Sequence, residues 1–458
     1  MSLPLDPDIR ALASVMQYLA DHGWSKALAA LESETGTSYD AGRLPLGSHL
    51  LDLVCHEVIA ESEDRTGDAD WAARRAATRA LDALPLGPAL FEPTQVVQGA
   101  HAGCVACLAM VCIPGKGAAV LSGGADGCLA ATEVATGAVL ASSSVAGSGV
   151  LSLAVLPDQE AGPLVAAGCM DGAVVLVRAE LAASPPSLPI LATCAGAHRK
   201  YVTALAWAPQ PAGAAPLLLS GSWDESAALH ATDPEAHTLS TLCRLPCDGH
   251  VEGLVFWPRI SGGAAGRGAG VGTPGRGPGD GATVQGDVDD PPAPRFLAAV
   301  RGSTVLLELV VERSGPGADS MLRIANRHGL NEDPDDPHLS FSARGLAWSP
   351  CGGFLAVATD AGRVLLMGPG DAAGALRPLR RLFGLPLDRF QNWGVGWAGA
   401  GVVCAAGAGG AVHAFHAATG KCVGVLRAHT PAAVRALVGM EDGQLATSSF
   451  DGSIRLFA

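Results

Sequence analysis

The chain has 458 residues, 48% of them hydrophobic and 16% charged, with a net charge of −14 and a mean hydropathy of +0.29. Its apolar runs are short and cut by Gly, Asp or Arg, well under the roughly 18–20 residues that cross a bilayer, so no membrane partner is expected. The acid excess disfavours a phosphate-binding surface and hence nucleic acid. The start, MSLPLDPDIR, lacks the basic and apolar stretches of a secretory leader. The twelve cysteines therefore read as reduced thiols of a cytoplasmic protein, with the nucleus as the alternative.

Residues 6–36 carry a helical pattern. Asp6 can cap a helix whose first position is Pro7. Leu12, Val15, Met16 and Leu19 recur at helical spacing until Gly23. Ser25 opens a second helix through Leu28 and Leu31. About 30 residues cannot bury enough apolar surface alone, and a second copy is the simplest cover. IRALASVMQYLADHGWSKALAALESETG resembles a LisH motif through Tyr18-Leu19, Gly23-Trp24, Ala27 and Leu31. Leu31 stands where that family often has an aromatic. The resemblance implies a homodimer formed through Leu12, Val15, Met16, Leu19, Trp24, Leu28 and Leu31. Residues 37–92 read as a helical connector, with helices over 46–63 and 70–84. Its Arg74, Arg75 and Arg79 read as a solvated face.

From residue 93 one pattern returns seven times: apolar strand, loop, apolar strand ending in small residues, Asp-Gly or a stand-in, apolar strand. It appears as AAVLSGGADGCLAA at 118–131, LVAAGCMDGAVVL at 164–176 and LATSSFDGSIRLF at 445–457. An all-β repeat of roughly 40–50 residues predicts propeller blades. His101, His198, His250 and His429 precede the first strand of their repeats, and Asp126, Asp171, Asp224 and Asp451 occupy the turn. This order resembles the WD repeat over 94–458. The resemblance implies a mainly β, seven-bladed propeller in which these His and Asp residues fix turns. Gly302, Ala361 and Gly409 replace the turn Asp in three repeats, with Asp360 one residue early. The family's Trp at the end of the third strand is replaced by Thr132, Val177, His230, Glu308 and Met367.

The last repeat stops after its third strand, and TQVVQ at 94–98 is expected to supply the missing outer strand and close the ring. The stretch 261–294, rich in Gly and Pro, reads as a flexible insertion. A second connection, with NEDPDDPH at 331–338, reads as a solvated acidic loop.

No catalytic, metal or cofactor set stands out. Cys104 and Cys107, and Cys243 and Cys247, lack a second CxxC pair. There is no nucleophile elbow and no P-loop. The expected function is a non-catalytic protein-interaction scaffold, paired through its N-terminal helices and docking other proteins on the propeller. The alternative is a monomeric propeller that recognises a peptide or a histone tail through an acidic mouth, with the helices folded back.

Overall fold

The computed structural model describes residues 12, 15–20, 24–35, 38–39, 69–85 and 93–457, apart from 114, 157–161, 209–214, 258–292, 314–319, 332–340, 370–374, 387–393 and 440–441. The Asp6-Pro7 helix start, the predicted helix over 46–63, nearly all of the 261–294 insertion and most of the acidic loop lie outside the described residues.

Seven four-stranded antiparallel sheets follow one another along the chain. Blades 1 to 6 span 105–144, 150–194, 202–246, 251–329, 343–382 and 395–426. Blade 7 joins three strands between Val434 and Phe457 to the strand Gln95–Val97. This closing strand pairs antiparallel with Ile454–Phe457, Val96 lying opposite Arg455.

The fold is a ring because each sheet has two apolar faces. The second strands of blades 2, 3, 5 and 6 are buried at every residue, which suits Val, Leu and Ala runs covered on both sides. Seven apolar clusters result, one at each junction between neighbouring blades. Close approach there requires glycine in places. A Cβ on Gly221 of blade 3 would lie 2.4 Å from Val251 of blade 4.

The connector helix Ala69–Asp82 packs on the third and fourth strands of blade 5. Leu81 is fully buried in the cluster between blades 5 and 6. Asp82 accepts a bond from Arg380 at 2.9 Å, and that guanidinium also donates to the carbonyl of Ala417 in blade 6. The arginine cluster is therefore not simply a solvated face: Arg79 and Arg75 are exposed, but Arg74 is half-buried and donates to the carbonyl of Pro378 at 3.2 Å.

In the N-terminal segment, residues 15–20 and Ser25–Thr35 are helical. Tyr18 and Trp24 meet edge to face at 5.9 Å. Met16 is 1% exposed within the single chain, whereas Val15 and Trp24 are exposed. Leu12, Leu19, Leu28 and Leu31 are half-buried, and no residue of the Ser25–Thr35 helix is fully buried. Met16 thus does not belong to an open apolar face, contrary to the sequence expectation.

Candidate docking face

One face of the ring carries, in every blade, the loop before the first strand and the turn between the second and third. Its geometry is set blade by blade. In blade 3, Asp224 accepts bonds from the backbone N–H groups of Arg199 (2.9 Å) and Ser226 (3.2 Å), and its Oδ2 lies 3.1 Å from Nδ1 of His198. Burial alone would raise the Asp224 pKa, but these donors together with the Ser226 hydroxyl outweigh it and hold the carboxyl below its usual value. His198 is depressed by burial, against the opposing pull of Asp224. The imidazole is therefore neutral near pH 7. Because a carboxylate only accepts, Nδ1 carries the proton and Nε2 accepts from the Ser220 hydroxyl at 2.7 Å.

The chain of bonds continues inward. Ser220 Oγ accepts from His230 Nε2 at 2.7 Å, and His230 Nδ1 accepts from the Thr241 hydroxyl at 3.1 Å. His230, at the position of the family's Trp, is buried and its pKa is pushed down to about 3.

Blades 1 and 7 repeat the outer part of this set. His101 joins Asp126 (3.1 Å) to Ser122 (2.8 Å), and His429 joins Asp451 (3.1 Å) to Thr447 (2.9 Å). The three sets have the residue types and bond order of a hydrolase triad. Their hydroxyls, however, are at 0% exposure inside the sheets, so no substrate atom can reach them. The sets serve the turns.

The remaining predicted positions do not pair. His250 is not at the histidine position: it immediately precedes the first strand, as Tyr201 does. Cys247 holds the place of His198, its N–H donating to the carbonyl of Glu225 as that of His198 donates to Gly172. The turn carboxylate is replaced too, by Gly302 with φ +75°. His250 stacks on Trp223 at 5.0 Å, and its nearest acid is Glu225, at 3.7 Å, in blade 3. Asp171 has no histidine; its backbone N–H donates to Ser148 Oγ and its carboxylate accepts from the backbone of Ala173. In blade 5, Asp360 accepts from the backbone N–H and the hydroxyl of Ser342, which takes the histidine's place.

Sequence reasoning missed the hydroxyl. It lies four residues before the turn Asp in blades 1, 3 and 7, while blades 2 and 4 have Ala167 and Ala298 at that place. The serine or threonine four residues upstream was the available signal. It also missed a bulge at the second residue of the innermost strand in six blades. Bulges re-aim side chains, and here they bring Thr203, Glu252, Arg344 and Arg435 to this face. Arg344 bridges Glu252 (3.1 Å) and Asp360 (3.4 Å). Arg435 stacks on Phe450 at 5.0 Å. Two cations, Arg344 and Arg435, thus stand among the acids of this face.

Among the described residues no group of three or more His, Cys, Asp or Glu side chains could hold a metal ion. Burial raises the thiols of Cys107 and Cys247, the latter to about 11, so neither is a ready ligand or nucleophile. No curated protein matches the chain at a significant level. Residues 420–457, which run into the last strand of blade 7, match the WD domain, G-beta repeat family. That match and the seven four-stranded sheets together support a WD-repeat β-propeller, an architecture consistent with a protein-interaction module.

Proposed function

We propose that this protein is a non-catalytic scaffold of the cytoplasm, paired through residues 6–36 and presenting two propellers, residues 93–458, on helical connectors, residues 37–92. The observation that carries the reading is the Ser25–Thr35 helix. It has Leu28 and Leu31 on it, yet none of its residues is buried within the single chain. Trp24 at its start is 53% exposed. A second copy would cover this surface, and two identical docking faces would then favour repeated partners through avidity.

The test is sedimentation of the full chain beside Leu19→Asp and Trp24→Asp. The parent is expected at twice the monomer mass and both variants at the monomer mass. A monomeric parent, or variants that sediment as the parent does, would defeat the pairing.

A second reading has one observation in its favour. The connector helix is fastened to blade 5 through Leu81 and the Asp82–Arg380 bond, so a monomer with its helices gathered against the ring is a real competitor. The same mass measurement separates the two.

A further inference from the structure

The outer strands of blades 2 and 3, of blades 3 and 4 and of blades 4 and 5 pack on one another, whereas at the junction of blades 5 and 6 the connector helix packs on the outer strand of blade 5. Two chemistries lie beneath that helix. One is an apolar seat: Leu81 enters the cluster that Leu366 and Leu382 of blade 5 form with Phe415 and Ala417 of blade 6, and Leu84 packs at its margin. The other is a buried cation. Arg380 is 5% exposed, and its guanidinium donates to the carbonyl of Ala417 at 3.1 Å and to Asp82 at 2.9 Å. Asp82 itself stays exposed, so its carboxylate reaches in from the surface. A guanidinium at this depth is costly without a carboxylate. The slot therefore selects an occupant that carries a leucine and an acid side by side.

The helix that meets this demand is lightly held. Among its described side chains only Ala77 and Leu81 are buried, while Arg75, Ala76, Arg79 and Ala80 are exposed. Its 14 residues make a marginal helix on their own, so the contacts with the ring are what keep it formed. An element whose buried contact rests on so few side chains opens more readily than the blade beneath it. The second strand of that blade is buried at every residue.

We infer that the slot between blades 5 and 6 is a helix-docking site that the connector keeps occupied, and that an amphipathic helix of a partner displaces it. The helix that fits presents a leucine followed directly by an aspartate or glutamate, with a small residue four positions before the leucine, as Ala77, Leu81 and Asp82 do. Its leucine fills the place of Leu81 and its carboxylate takes over the Arg380 bond, so neither a cavity nor an unpaired cation remains. The apolar face of the incoming helix supplies the affinity, as in other grooves that take amphipathic helices. The tethered connector is always nearby, which raises the concentration a competitor needs. The slot is built by the ring and the connector alone, so it serves a single chain as well as a paired one.

The experiment uses the full chain and a fluorescein-labelled peptide of residues 69–85, read by fluorescence anisotropy. Leu81→Asp and Asp82→Ala, each made in the full chain, loosen the tethered helix in different ways. Both variants are expected to bind the peptide about tenfold or more tightly than the parent, whose slot is filled. Against the Leu81→Asp chain, peptides carrying Leu81→Asp or Asp82→Lys should bind about tenfold or more weakly than the unaltered peptide. Adding Arg380→Met to that chain should remove the discrimination against the Asp82→Lys peptide and keep that against the Leu81→Asp peptide. Equal binding by the parent and both variants, no binding by either variant, or indifference to Asp82→Lys in the peptide would each overturn the inference. So would a melting temperature lowered by more than about 10 °C in both variants, since the helix would then belong to the core of the ring and not cover a site. Sedimentation of the same samples reports on pairing independently, so loss of one reading does not carry the other with it.

Discussion

Blades 3 and 4 are neighbours with the same strand order, yet they keep their polar groups satisfied in opposite ways. Blade 3 runs a single line of bonds from its turn into its interior: Asp224, His198, Ser220, His230, Thr241. Blade 4 has lost the turn carboxylate and the hydroxyl, leaving Gly302 and Ala298. It has instead a carboxylate deep in the sheet. Glu308 is 1% exposed and accepts from Arg295 (2.9 Å), Asn326 (2.8 Å) and His328 (3.2 Å). His328 Nδ1 in turn accepts the N–H of Leu376, the first residue of the outer strand of blade 5. Blade 3's network fixes a turn, while blade 4's fastens one blade to the next. The difference teaches that a blade needs some satisfied polar anchor, and that the anchor can move from the rim to the interior when the rim residues are lost.

The comparison can be broken most forcefully at Asp224. Asp224→Ala leaves His198, the Arg199 N–H and Ser226 without their acceptor and should cost about 3 kcal/mol. Urea unfolding measures it. Glu308→Ala should be nearly as damaging, and the double variant should show the sum of the two losses because the networks share no partner. A strong coupling between them would show that the blades do not hold their anchors separately.

Acid is the next largest lever. His230 has a folded pKa of about 3 against 6.5 for the free side chain, so the unfolded chain takes up the proton first. Its contribution is fully present above pH 6.5 and is lost as pH falls from there towards 3. At pH 5 the loss is about 2 kcal/mol for this one group. His198 and His429 are depressed in the same direction. The melting temperature should therefore fall between pH 7 and pH 5, and His230→Gln should flatten part of that fall.

Smaller effects sharpen the contrast further. Glu225 occupies the turn position that is glycine in blades 1, 2 and 7, and it does so at φ +65°. Glu225→Gly should stabilise the chain by about 1 kcal/mol by relieving that conformation. His250→Ala should change stability by no more than about 0.5 kcal/mol, since His250 is half-exposed and holds no turn carboxylate. A His250 loss matching that of His198→Ala would contradict the assignment of blade 4 as a blade anchored elsewhere.

The blades were legible because alternation and turn residues are local signals. Runs such as LVAAGC and VVLVR read as strands covered on both faces, and Asp-Gly marks where the chain reverses. What was not legible depends on contacts distant in sequence. Ser342 in place of a histidine, or Glu308 in place of a tryptophan, looks like a loss until the partners Asp360 and Arg295 are brought alongside. Leu81 and Asp82 read as an ordinary helix end, because nothing local announces a buried Arg380 some 298 residues later. Met16 followed the apolar periodicity of its helix, but periodicity does not distinguish cover by the same chain from cover by a second one.

The closing strand ties residues that the ribosome makes far apart in time. Thr94 bonds the carbonyl of Leu456, 362 positions on. At about 5–20 residues per second, Gln95–Val97 waits roughly 20–70 s for its partner to be synthesised. During that interval blades 1 to 6 can assemble only as an open arc with a bare apolar sheet face at each end. The interval before closure is when this protein is most exposed to mispairing with another nascent copy, and when a chaperone has most to shield.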